Sequence, residues 1–292
     1  MHTMSGPAVL VGTILLSLGL ALASPAAVEP AQPEPQALPW KLGTPAAPIG
    51  SDLAEIDLAE GLIYLDQAGT RQFLELTQNP TSGTEMAVVA PASDDQQWFM
   101  VFEWNEIGYV KDDEKDDLDA AAMLVSIREA TAAGNEERTK RGWPTMEIVG
   151  WQQEPHYDTA SNHLTWAIVG ASEGHQTINR MTKLLGRKGV MTVTLVAAPE
   201  EIATASAQAD GLLGGYRFRP GNTYAEFLPG KDSVAELGLK GLILGGAGAA
   251  LIKSGLLGKF WKVIVAGVVG LGAGISRLLG RKKDTGVGPT PT

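Results

Sequence analysis

The stretch that most limits what this chain can become is its end. Residues 241–276 are apolar and glycine-rich, interrupted by charge only at Lys253, Lys259 and Lys262, and they run into Arg277 and the basic cluster Arg281-Lys282-Lys283. In a water-exposed helix each glycine costs roughly 1 kcal/mol relative to alanine, whereas membrane helices tolerate glycine and use small residues to bring backbones close. Gly241, Gly245 and Ala249 recur at spacings of four, as do Ala266, Gly270 and Gly274. The pattern predicts a membrane anchor, with Ala266, Gly270 and Gly274 as a helix-association stripe. Its partners would be the lipid bilayer and either a second copy or another envelope protein.

The lysine-free run 263–276 is shorter than the roughly 20 residues needed to cross the hydrocarbon. Lys259 and Lys262 must therefore snorkel, with Phe260 and Trp261 beside them at headgroup depth. Two arrangements satisfy this: a single span near residues 256–279 preceded by a juxtamembrane helix, or a hairpin in which residues 241–258 also enter the bilayer. We adopt the single span.

The start of the chain points to export. Residues 8–23 are an apolar run closed by Ala21-Leu22-Ala23, a signal-peptide pattern, although only the amino terminus and His2 precede it as positive groups. Residues 1–23 are read as a signal peptide, with an uncleaved anchor as the alternative. Residues 24–48 are rich in Pro, Ala and Gln and read as an extended linker. That leaves 49–230 as a soluble body, 231–280 as juxtamembrane and transmembrane anchor, and 281–292 as a basic tail. Retention of the basic tail inside predicts a single-pass protein of the bacterial inner membrane, its body in the periplasm and its tail in the cytoplasm.

Charge is divided in the same way. Of 23 Lys/Arg and 33 Asp/Glu, nine and three lie from Lys231 onward, so the preceding chain carries 14 basic against 30 acidic groups. An acidic body argues against nucleic acid as a partner, and a basic tail suits anionic lipid. The absence of cysteine excludes disulfides, thiolate metal sites and thiol nucleophiles.

Within the body, apolar periodicity and turn residues predict strands at 62–65, 86–90, 98–104, 146–153, 164–171, 177–185 and 190–198. Helices are predicted at 68–78, 118–141 and 199–213. The order βαββαββββα, dominated by hairpins, predicts an α+β fold in which helices pack on an antiparallel sheet. Residues 154–163 are expected to be a loop, and the acids of 112–117 to stabilise the start of the long helix.

The motifs Asn135-Glu136-Glu137-Arg138 with Gly142 and Pro144, Gly150-Trp151 with Pro155-His156-Tyr157-Asp158, Leu185-Gly186-Arg187 with Gly189, and Tyr224, Phe227, Pro229-Gly230 and Asp232 carry a resemblance. With them the chain, from about Ile49 to Lys283, resembles a bacterial family of membrane-anchored proteins known as domain of unknown function 2167. The resemblance implies an exported domain with a C-terminal membrane helix and no established activity. By looser analogy, the element order is similar to the PsbP and Mog1-like folds, which carries no function with it.

Three sets of residues are candidates for chemistry. His156, Asp158 and His163 sit at the two ends of one short segment, where two imidazoles could approach a metal ion; turn capping is the preferred reading. Arg187 and Lys188 form a basic spot able to hold a carboxylate or phosphate, with internal pairing preferred. Arg138 on the long helix is expected to pair with a nearby acid. No catalytic triad, nucleotide-binding loop or cofactor motif is found. The first functional reading is therefore a non-enzymatic interaction or scaffold module of the envelope. The alternative is a membrane-tethered, metal-dependent hydrolase using His156, Asp158 and His163.

Overall fold

Alternating burial along the strands and an apolar stripe on each helix sort the chain into two layers over a common sheet. A computed structural model describes residues 38–244. In chain order these form β1 (Lys41–Leu42), β2 (Ala47–Ile49), β3 (Ala54–Ile56), β4 (Leu62–Leu65), α1 (Gln67–Leu76), β5 (Glu85–Pro91), β6 (Phe99–Asn105) and α2 (Ala120–Lys140). They continue as β7 (Glu147–Asp158), β8 (His163–Ser172), β9 (His175–Leu185), β10 (Val190–Ala197), α3 (Ile202–Gly214), β11 (Tyr216–Phe218), a 3-10 turn (Tyr224–Glu226) and α4 (Leu239–Leu244). From β4 to α3 this is the order read from the sequence.

Eight strands form one antiparallel sheet in the order β1-β4-β5-β6-β10-β9-β8-β7, and β11, β3 and β2 form a second, small antiparallel sheet. One face of the large sheet offers Val89, Met100, Phe102, Val193 and Leu195 to α3 and to the inner residues Ile49, Ala54 and Ile56 of the small sheet. On the opposite face, Leu65, Val88, Phe99 and Val101 pack with Phe73 and Leu74 of α1. Farther along that face Leu164, Trp166, Ile168 and Met181 pack with Met123 and Ile127 of α2 and with Leu239, Leu242 and Ile243 of α4. Trp98 and Trp166 are buried, and Trp40, Trp104 and Trp151 are partly buried against the core clusters.

Side chains of α2 also close the open edge of the sheet at β7. Asn135 exchanges two hydrogen bonds of 2.8 Å with the Met146 backbone, and Arg128 donates to the carbonyls of Ile148 and Val149. Unpaired edge groups would otherwise template a further strand. Contrary to the expectation of an acidic partner, Arg138 is buried and donates to the Pro144 and Gln78 carbonyls, tying the end of α2 to the end of α1.

The packed body is longer at both ends than its expected limits. Leu38 and Ala47 are buried, β1 pairs with β4 and β2 with β3, so the end of the assigned linker belongs to the fold. Beyond residue 230, the chain from β11 forms a strap. It leaves the small sheet, passes Arg187 and Tyr109, and seats α4 in the core under α2. The acids ahead of α2 meet this strap: Glu114 accepts from the Lys240 amide and Asp117 lies 3.4 Å from Lys240 Nζ. The N-cap of α2 is Asp119, which accepts from the Ala122 amide.

The segments expected to be a signal peptide and a membrane span, most of the expected linker, the stripe Ala266, Gly270 and Gly274, and the basic tail lie outside the described residues. Among the described residues no helix is long and apolar enough to cross a membrane.

Candidate functional site

The hairpin turn between β9 and β10 is fixed by close approach. A Cβ on Gly189 would collide with the Asn105 carbonyl, and one on Gly186 would press against Phe218 and the Asn222 carbonyl. The Arg187 amide donates to Asn222 and the Lys188 carbonyl accepts from Gly108, so the turn backbone is held on both sides. Arg187 itself is spent: its guanidinium makes two parallel hydrogen bonds to Asp232, of 2.7 and 2.9 Å. That pairing holds the Asp232 carboxyl below its ordinary range and raises Arg187. The basic spot is thus divided, with Arg187 as a bolt for the strap and Lys188 alone facing solvent-accessible space. Two clefts share Lys188 and Glu106 in their walls, one of about 410 Å³ that includes Leu53, Met86 and Trp104, the other of about 520 Å³ that includes Lys231 and Ser233.

The expected loop at 154–163 is largely strand. β7 continues to Asp158, leaving only the turn 159–162, where Asn162 takes a positive φ of 57°. His156 stands opposite Thr165, and Asp158 opposite His163. Alternation places His156, Asp158 and His163 on one side, with Tyr157 buried on the other. Asp158 accepts from the Ala160 amide at 2.9 Å and from Ser161 Oγ at 2.6 Å, which is turn capping. Those contacts, led by the Ser161 hydroxyl, lower its pKa. Burial holds His163 below the usual imidazole value, with Asp158 pulling the other way. Among the described residues no group of three or more His, Cys, Asp or Glu side chains is placed to hold a metal ion.

Sequence reasoning missed a polar row crossing the middle of the sheet between the cores of α1 and α2. Glu85 on β5 stands opposite Glu103 on β6, Glu103 opposite Thr192 on β10, and Thr192 opposite Lys183 on β9. Glu85 is fully buried and Lys183 is 5% exposed. Lys183 Nζ donates to Thr192 Oγ1 at 2.8 Å and sits 5.8 Å from the centre of the Trp166 ring. Arg71 of α1 lies 3.6 Å from Glu85, and the hydroxyls of Ser82 and Thr84 lie between the two carboxylates. Burial pushes Glu103 up to about 7, aided by neighbouring Glu85 and opposed by Lys183. Burial likewise pulls Lys183 down to about 8, against the attraction of Glu103. The one signal in the sequence is Lys183 itself, set between the apolar Met181 and Leu185 on the same strand face.

Comparison with curated proteins finds no match. Among solved structures, cyanobacterial PsbP from Synechocystis sp. aligns at 15% identity and a TM-score of 0.37, over 68% of this chain and 98% of that one. LpqN of Mycobacterium tuberculosis, involved in cell envelope biogenesis, aligns at 11% identity and a TM-score of 0.30, over 57% and 83%. The Ran-binding protein Mog1p of Saccharomyces cerevisiae aligns at 10% identity and a TM-score of 0.28, over 56% and 89%. The family described as Protein of unknown function (DUF2167) has a model that matches residues 41–275, from β1 through the glycine-rich end, and the chain belongs to that family.

Proposed function

We propose that this chain is an exported domain, held at the bacterial inner membrane by its C-terminal segment, that works by binding envelope partners and not by catalysis. The observation that carries the reading is the strap. Leu239, Leu242 and Ile243 are buried and Asp232 is locked to Arg187, so the fold runs without a slack linker up to the start of the glycine-rich segment. A domain built in this way is oriented by its anchor. Lys188 is then the residue left to take an anionic group of a partner, because Arg187 is committed internally. The stripe Ala266, Gly270 and Gly274 supplies a second surface, within the bilayer.

The test is fractionation in a Gram-negative host. The full chain should sediment with membranes and resist alkaline carbonate, and a chain ending at Leu244 should be released by osmotic shock as a folded periplasmic protein. Soluble full-length chain, or membrane-bound truncated chain, would refute the tether. Protease added to spheroplasts should digest the body and spare a tag placed after Thr292; the reverse pattern would invert the topology.

A further inference from the structure

Two turns are laced together beside the cleft of about 410 Å³. The Lys188 carbonyl accepts from the Gly108 amide at 2.9 Å, and the Ile107 amide donates to the Asn105 carbonyl at 3.0 Å. Gly189 has no room for a Cβ against the Asn105 carbonyl, and Gly108, at a φ of 94°, has none against the strap backbone at Ser233 and Ala235. The backbones of Lys188 and Glu106 are therefore held at a fixed separation. Both side chains are exposed in the cleft wall, and among the described residues neither forms an ion pair or a side-chain hydrogen bond. The arginines beside the cleft are committed, Arg187 to Asp232 and Arg219 to Asp52 and Glu55.

The floor between these two charges is apolar. Leu53, Met86 and Trp104 pack against the core from one side and border the cleft on the other, and Trp104 is set by an edge contact with Phe218, ring centres 5.8 Å apart. The neighbouring cleft, walled by Lys231 and Asp232, offers only Ile107 as an apolar side chain. A ligand carrying one charge is poorly matched to such a wall, since an anion drawn to Lys188 meets the Glu106 carboxylate and a cation drawn to Glu106 meets Lys188. A ligand carrying both charges answers both. We propose that this cleft binds a free α-amino acid with an apolar side chain, its carboxylate on Lys188, its ammonium on Glu106, and its side chain on Leu53, Met86 and Trp104. The volume lies at the small-molecule end of ligand sites, which run from roughly 300 to 1,000 Å³. The inference rests on the reading of Lys188 as the cation left free for a ligand, and adds to it the class of that ligand.

Saturation-transfer NMR on the full chain in detergent tests the site with three probes: L-phenylalanine, 3-phenylpropionate, which lacks the ammonium, and 2-phenylethylamine, which lacks the carboxylate. Phenylalanine should bind saturably, and each single-charge probe should bind about fivefold more weakly. In Lys188→Met, phenylalanine should bind no better than 2-phenylethylamine does to the unmodified chain. In Glu106→Gln it should bind no better than 3-phenylpropionate. Both side chains are exposed, so the two variants keep the fold. An absence of saturable phenylalanine binding would overturn the proposal, as would binding that either variant leaves unchanged. A single-charge probe that matches phenylalanine would overturn it too; where that probe is 3-phenylpropionate, Lys188 still stands as an anion site. Membrane fractionation decides the tether independently of all these results.

Discussion

Lys183 and Glu103 make the sharpest demand on the fold at the scale of single residues, because Lys183 is buried, Glu103 is partly buried, and their charges are separated by the width of β10. The two pKa shifts act on stability in opposite directions. Glu103 is raised from 4.5 to about 7, so over that window the folded chain holds a proton that the unfolded chain has released, and stability falls as pH rises. Lys183 is lowered from 10.5 to about 8, so between those values the unfolded chain holds the extra proton and stability rises with pH. The pair therefore predicts a trough near pH 7 to 8, where both groups are charged within the sheet. Glu103→Gln should remove the acid side of the trough and Lys183→Met the alkaline side, each by on the order of 2 kcal/mol. Thermal melts across the pH range check this, and unaltered profiles in both variants would show that the pair contributes nothing. No single segment of the sequence discloses this site, because positions 85, 103, 192 and 183 meet only through the register of four strands. Lys188, by contrast, was visible as a charge on a glycine turn, and the internal pairing of its neighbour Arg187 was expected; only the identity of the partner, Asp232, 45 residues away, was hidden.

At the scale of elements, the alternation in β5, β6, β8, β9 and β10 was legible because one or both faces of each are buried, and α2 was legible from its length. The small sheet was not. Strands of three residues such as β2, β3 and β11 are too short to show a period, and Pro48 in β2 argues against a strand on composition. The extent of β7 was misjudged for a different reason. Its pairing with β8 shifts register three times, and Pro155 with the polar residues around it reads as turn chemistry although the bulges absorb them. The edge clamp from α2 gives a prediction at this scale. Asn135→Ala leaves the amide and carbonyl of the buried Met146 without partners and should destabilise the chain by about 1–3 kcal/mol, measured as a shift in urea midpoint with unchanged slope. It should also raise the tendency to associate, since β7 then exposes free backbone groups. A neutral result would mean that water replaces the side chain at no cost.

At the scale of the whole molecule, the acidic body and the basic, glycine-rich end divide the labour between an aqueous surface and a proposed bilayer surface. Lipid gives helices no hydrophobic reason to meet, so association there depends on close packing across small residues. Gly270→Ile combined with Gly274→Ile should leave membrane insertion intact, since both changes add apolar surface, yet abolish crosslinking of the chain to itself or to an envelope partner. Unchanged crosslinking would reduce the segment to a plain anchor. The strap gives this division a mechanical meaning. Tension arriving at Leu244 is borne first by three buried side chains of α4, then by the backbone pairing of Ser233 and Ala235 with Tyr109, then by the Arg187–Asp232 pair, and only afterwards by the ladder of the small sheet. These contacts are loaded in series, so the end of the chain would peel away in stages while the eight strands keep their register: a fuse that yields before the body does.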